Sequence, residues 1–150
     1  MIKKLVCTLG LMAFLAIGSV SSEAAFEKKT YVQLKTFFLP VQTSKGRRNN
    51  VPITVYLLVK NDGAPKKICP YVYRIRDAIV QEFNARTLRV TSEGVDSSKS
   101  RPHLSDVLNQ VVRVDLINDY RLFKGAYTLG SGGSTGRGCV RVEKLPVGKK

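Results

Sequence analysis

The chain has no tryptophan, a single histidine, three cysteines, two methionines and only 11 acidic residues against 25 basic ones in 150 positions. Each shortage removes a class of chemistry. A Ser–His–Asp triad needs its three groups in line, and His103 has only Ser105 and Asp106 close by, at helix offsets that do not face one another. One histidine and so few thiols give too few soft ligands for a zinc site. The scarce carboxylates Asp77 and Glu82 fall on different faces of the same helical pattern, so they do not form an acid/base pair for glycan cleavage. The glycine loop Gly130 to Gly138 lacks the Lys-Ser/Thr pair that a P-loop places after its last glycine, because Gly136 is followed by Arg137 and Gly138. No catalytic residue, cofactor or metal is therefore expected. Nor is there an internal repeat or, after the first residues, a long apolar run.

What is present begins with an export pattern. Met1-Ile2-Lys3-Lys4 is cationic, Leu5 to Val20 is almost wholly apolar, and Ser21 to Ala25 supplies small residues. Cleavage after Ala24 puts Ser22 and Ala24 at the positions a signal peptidase inspects. Residues 1–24 are thus expected to be a signal peptide; the alternative is a short membrane anchor, although the run is shorter than the ~20 apolar residues of an ordinary span. Either reading puts residues 25–150 outside the cytoplasm, in the periplasm, with inner-membrane contact if the segment stays attached. Loss of Lys3, Lys4 and Glu23 leaves 23 basic and 10 acidic residues, 23 − 10 = +13 against +14 for the whole chain.

Two cysteines, Cys69 and Cys139, remain in the exported part. An oxidising compartment makes a disulfide the first reading, with two separate thiols as its alternative. The strong positive charge attracts anionic partners without choosing among them. Lys45, Arg47 and Arg48 in the polar segment Gln42 to Asn50, together with Lys66 and Lys67, form the candidate surface for an anionic partner, with Arg74 and Arg76 nearby in sequence. The alternative is a scattered, solvated set of charges. Few aromatics accompany these cations (Phe37, Tyr71 and Tyr73), which argues against nucleic acid.

Along the chain, Tyr31 to Val41 alternates as a strand with Val32, Leu34 and Phe38 on one face and Gln33, Lys35 and Phe37 on the other. Ile53, Val55, Leu57 and Val59 mark the inward face of a second strand, antiparallel to the first. From Pro70 the period lengthens: Val72, Ile75, Ile79 and Phe83 predict an amphipathic helix that packs on that face. Leu88 to Arg101 carries no core pattern and reads as a connector. Pro102 opens a second helix with Leu104, Val107, Leu108 and Val111 buried. Tyr120 to Leu129 reads as a strand, and Cys139 to Val142 as a short terminal one. The sum is one α+β domain over residues 25–150: a small antiparallel sheet with two amphipathic helices packed on one face, and a flexible C-terminal extension, 130–150.

The residues Tyr31-Val32-Gln33-Leu34-Lys35-Thr36-Phe37, the strand Ile53 to Lys60 and above all Tyr73-Arg74-Ile75-Arg76-Asp77-Ala78-Ile79-Val80 resemble the FliL family of flagellar basal-body-associated proteins. That family pairs a YV.LKPF strand with a helix carrying P.IRDAI, and Leu108-Asn109 with Tyr120 to Leu129 is similar to its closing helix and strand. The resemblance implies a periplasmic domain like the stomatin-like fold. It implies a non-enzymatic role through protein–protein contacts, with itself or with flagellar stator components. The Cys69–Cys139 pair and the extension are foreign to the family's pattern. A second expectation, from the charge alone, is an exported binder of an acidic polymer or anionic surface.

Overall fold

A computed structural model describes residues 29–43, 45–86, 88–91, 94–96, 101–129 and 138–146. The expected signal segment 1–24 and most of the glycine loop, 130–137, lie outside these. The fold is α+β, built on a sheet of seven strands. Its spine is β3 (Arg48–Val59), a 12-residue strand with apolar residues at alternate positions. Along one side of β3 runs β6 (Ile117–Lys124), antiparallel. Along the other, β1 (Thr30–Leu34) and β2 (Phe37–Gln42) lie end to end. The C-terminal β7 (Cys139–Val142) borders β1, while β4 (Leu88–Thr91) borders β2 and pairs in turn with β5 (Gly94–Asp96).

The first expected strand is therefore two strands, and the join corrects its faces. Gln33 pairs with Tyr56 and Phe37 with Ile53, so four steps on one chain answer three on β3. The extra residue is a β-bulge at Lys35–Thr36, and it reverses the alternation. Phe37 consequently lies in the core at 6% exposure, with Leu39 and Val41, while Phe38 is 67% exposed; the face read from strict alternation has these two phenylalanines exchanged. The bulge is held on both sides. The Lys35 N–H donates to the Gly138 carbonyl (2.8 Å), and the Thr36 and Thr54 hydroxyls meet at 2.7 Å.

Three further expectations are corrected. The supposed connector after Leu88 contains β4 and β5, with Leu88 buried. Short strands at a sheet margin show one inward side chain and no measurable period, which is why alternation missed them. Because β4 pairs with β2 in parallel, Val41 to Leu88 and Gln42 to Arg89, the sheet is mixed and not purely antiparallel. The strand expected at Tyr120 to Leu129 runs instead over Ile117–Lys124, and residues 125–129 fold across the back of the sheet. There Thr54 donates to the Gly125 carbonyl (3.0 Å) and Gln33 to that of Thr128 (3.0 Å).

The helices cover the front. A one-turn helix α1 (Ala64–Ile68) leads through a 3₁₀ turn, Cys69–Tyr71, into α2 (Val72–Ala85), and α3 (Arg101–Val112) follows β5. Val72, Ile75, Ile79 and Phe83 are buried in one cluster with Ile53, Val55, Leu57, Val59, Leu104 and Leu108. The backbone of α2 nevertheless approaches β2 and α3 more closely than β3, while α3 packs over β6. Asn109 closes the turn from α3 to β6: its Oδ1 accepts from Leu116 and Ile117 N–H (3.1 and 2.9 Å), and its Nδ2 donates to the Ile117 carbonyl (2.9 Å).

Cys69 and Cys139 are joined by a disulfide with their Cα atoms 5.7 Å apart, linking the start of α2 to β7 across 70 residues of sequence. A bridge closing so long a loop stabilises by about 4 kcal/mol in the chain-entropy model. Cys69→Ala/Cys139→Ala should lose about that much in a denaturant titration, and non-reducing mass spectrometry of the wild type should show the two cysteine peptides linked. Phe83→Ala should cost ~3–5 kcal/mol as a truncation at a fully buried site; a change below about 0.5 kcal/mol would place this face of α2 outside the core.

Candidate functional site: an aromatic groove between β2 and α2

Beside the buried stripe of α2 runs a second one. Tyr73, Arg76, Asp77 and Val80 recur at the three- and four-residue spacing that puts side chains on one face of a helix, and this face looks along the margin of β2. Opposite it stand Phe37 and Phe38. The six residues line an open groove of about 410 Å³. The bulge places one phenylalanine under the groove floor and the next outside it. Tyr73, 60% exposed, and Phe38 are two of the few large apolar side chains among the described residues that stand in solvent. Between them the Arg76 guanidinium lies over the Phe37 ring at 5.0 Å from its centroid. This cation–π contact, about 0.5–1 kcal/mol at such a site, holds the charge at the groove wall. Aromatic surface, a guanidinium and the carboxylate of Asp77 suit recognition of a peptide side chain, and tyrosine and arginine are residue types that concentrate binding energy at protein interfaces.

The candidate anion-binding residues are not brought together. Lys45, Arg47 and Arg48 sit at the β2–β3 turn, where the Gly46 N–H donates to Thr43 and the Thr43 N–H to Arg47 (both 2.9 Å). Gly46 adopts φ +77°, which a side-chain-bearing residue rarely takes, so the turn has a defined shape. Arg89 joins this group, since Gln42 pairs with Arg48 on one side and Arg89 on the other. Lys66 and Lys67 lie on α1, which follows the far end of β3. At 3.3 Å per residue the 12-residue strand separates the two groups by roughly 36 Å. Of the aromatics expected near these cations, Phe37 is buried, Tyr71 packs partly against the core and only Tyr73 is free to make contacts.

His103 faces neither Ser105 nor Asp106 but approaches Glu82 of α2 (Nε2–Oε2 3.7 Å), whose Oε1 lies 2.9 Å from Arg86 Nε. On the back of the sheet Tyr56, Phe123 and Tyr127 stack edge to face, 5.3 and 6.0 Å between centroids. Burial, with repulsion from Tyr127 adding to it, pushes the Tyr56 phenol above its ordinary value near 10. Among the described residues no group of three or more His, Cys, Asp or Glu is placed to hold a metal ion, and no helix is long and apolar enough to cross a membrane. In comparisons with protein families, with curated proteins and with solved structures, nothing matches this chain.

Strict alternation hides the groove, because it turns Phe37 outward and Phe38 inward, the reverse of their burial. The available signal was the stripe Tyr73, Arg76, Asp77, Val80, too polar for core and too regular for scatter. Phe38→Ser should shift stability by no more than ~0.5 kcal/mol, whereas Phe37→Ala should cost ~3–5 kcal/mol. Thermal or denaturant unfolding of the two variants checks the assignment, and the opposite order would reverse it.

Proposed function

We propose that this protein is a non-enzymatic, exported binding module of FliL-like type that works by protein–protein contact at the flagellar motor or elsewhere in the cell envelope. The groove between β2 and α2 carries this reading. Two exposed aromatics and a preset guanidinium converge there, and a folded chain exposing Phe38 and Tyr73 side by side bears a standing cost in hydrated apolar surface that a partner would relieve. Support for the FliL likeness is the order of elements: the strand carrying Tyr31 to Phe37, its antiparallel neighbour β3, the helix carrying Tyr73 to Val80, then α3 and β6. Under this reading the segment Tyr73-Arg74-Ile75-Arg76-Asp77-Ala78-Ile79-Val80 has a double role. Ile75 and Ile79 hold the helix to the core, and Tyr73, Arg76, Asp77 and Val80 present the contact surface.

A strain lacking the gene should swim or swarm poorly under viscous load, and wild-type protein should restore it. Phe38→Ser/Tyr73→Ser should accumulate to wild-type level in the periplasm yet fail to restore motility. Normal motility of the deletion strain under load would remove the motor role. Full restoration by the double variant would remove the groove from it.

A further inference from the structure

Charges of both signs gather at the Thr30 end of β3. At the Thr30 end the chain enters the sheet, and the loops Lys60–Gly63 and Arg113–Leu116 and the residues after Val142 gather around it. Thr30 pairs with Val59, Ile117 with Val59, and Val142 with Tyr31. Every described carboxylate at this end is engaged. Asp62 accepts from the Thr30 hydroxyl and pairs with Arg141 (3.0 Å); Asp115 pairs with Lys60; Asp119 pairs with Arg121 (2.9 Å); Glu143 lies 3.4 Å from Arg141. Lys29, Lys66, Lys67, Arg113 and Lys144 remain, all exposed and without a described acidic partner. In the uncleaved chain the apolar run Leu5 to Val20 precedes the domain at this same end, since Lys29 and Thr30 open the described residues.

We propose that the Thr30 end is a lipid-facing surface, which rests these cations on an anionic phospholipid leaflet and directs the β2–β3 turn away from it. This stands apart from the groove reading: it concerns how the domain is oriented, not what fills the groove. Two magnitudes support it. A cation within a Debye length of an anionic leaflet strengthens adsorption by about fivefold, so several acting together produce a usable attraction without any buried site. That length is about 8 Å at physiological ionic strength, whereas the turn end lies roughly 36 Å away along β3. A domain standing on its Thr30 end therefore holds Lys45, Arg47 and Arg48 outside the leaflet's field. Adsorption driven by total charge alone would make no distinction between the ends.

The test is sedimentation of the purified protein with phosphatidylcholine vesicles, with and without phosphatidylglycerol. Two charge reversals are compared: Lys66→Glu/Lys67→Glu/Lys144→Glu at the Thr30 end and Lys45→Glu/Arg47→Glu/Arg48→Glu at the turn. The disulfide, read by mass spectrometry, and the circular dichroism spectrum serve as folding controls for these exposed positions. Binding should require phosphatidylglycerol and weaken with salt. It should fall at least tenfold in the first variant and less than twofold in the second. Equal losses in both variants, equal binding to neutral vesicles, or no binding at all would overturn the proposal. So would loss of heparin retention in the Thr30-end variant with vesicle binding unchanged, which would assign the surface to an acidic polymer.

Discussion

A single additional residue at Lys35–Thr36 decides how the first part of the chain meets β3. Side chains in a strand alternate with period two, so a one-residue slip turns a whole apolar set from one face to the other. Val32 and Leu34 occupy even positions; Phe37, Leu39 and Val41 occupy odd ones. They share the core only because the bulge absorbs one step between Gln33↔Tyr56 and Phe37↔Ile53. Straight pairing would bury Phe38, Pro40 and Gln42 beneath α2 and leave three large hydrophobes on the back. The same irregularity frees the Lys35 N–H for Gly138 and brings Thr36 to Thr54, which in turn holds Gly125 and receives the Tyr127 N–H (3.3 Å). The seat of β7, the crossing of residues 125–129 and the exposure of Phe38 all follow from it.

The disulfide acts on the other side of that arrangement. β7 contributes only four residues and borders β1 alone, so hydrogen bonding gives it little independent hold. Cys139, buried beside Leu34 and bonded to Cys69, fixes one end of the strand to the start of α2. Gly138 fixes its register. It adopts φ +81°, a conformation that favours glycine, and a Cβ there would sit in a tight 3.2 Å contact with the Lys35 Cβ. A C-terminal segment that would otherwise be a tail becomes part of the sheet.

The groove and the charged ends are consequences of where a long strand and a short helix stop. α2 covers β2 but not its margin, so the stripe Tyr73 to Val80 and the outward Phe38 are left side by side with Arg76 between them. β3 is long enough to hold its basic termini several Debye lengths apart. Charge that looks uniform in composition becomes two separate surfaces. In one of them Lys60 and Arg141 have already taken up carboxylates at the Thr30 end.

By itself the sequence determined the compositional class, the inward faces of β3 and α2, the start of α3 and the pairing of Cys69 with Cys139. Each rests on a local period or on simple arithmetic: alternate valines and isoleucines, a three-and-four repeat, a proline at a first turn, two cysteines left once the expected export segment is set aside. Tertiary structure decided the rest. No local pattern tells whether Phe37 or Phe38 points inward when a bulge lies beside them, because the answer depends on the partner strand's count of residues. Strands as short as β4 and β5 acquire their identity from β2, and Lys45 and Lys66 are neighbours or strangers only according to which end of β3 each occupies. The site at β2 and α2 was illegible for the same reason: it joins residues 38 and 73, and what brings them together is a backbone irregularity that no side chain announces.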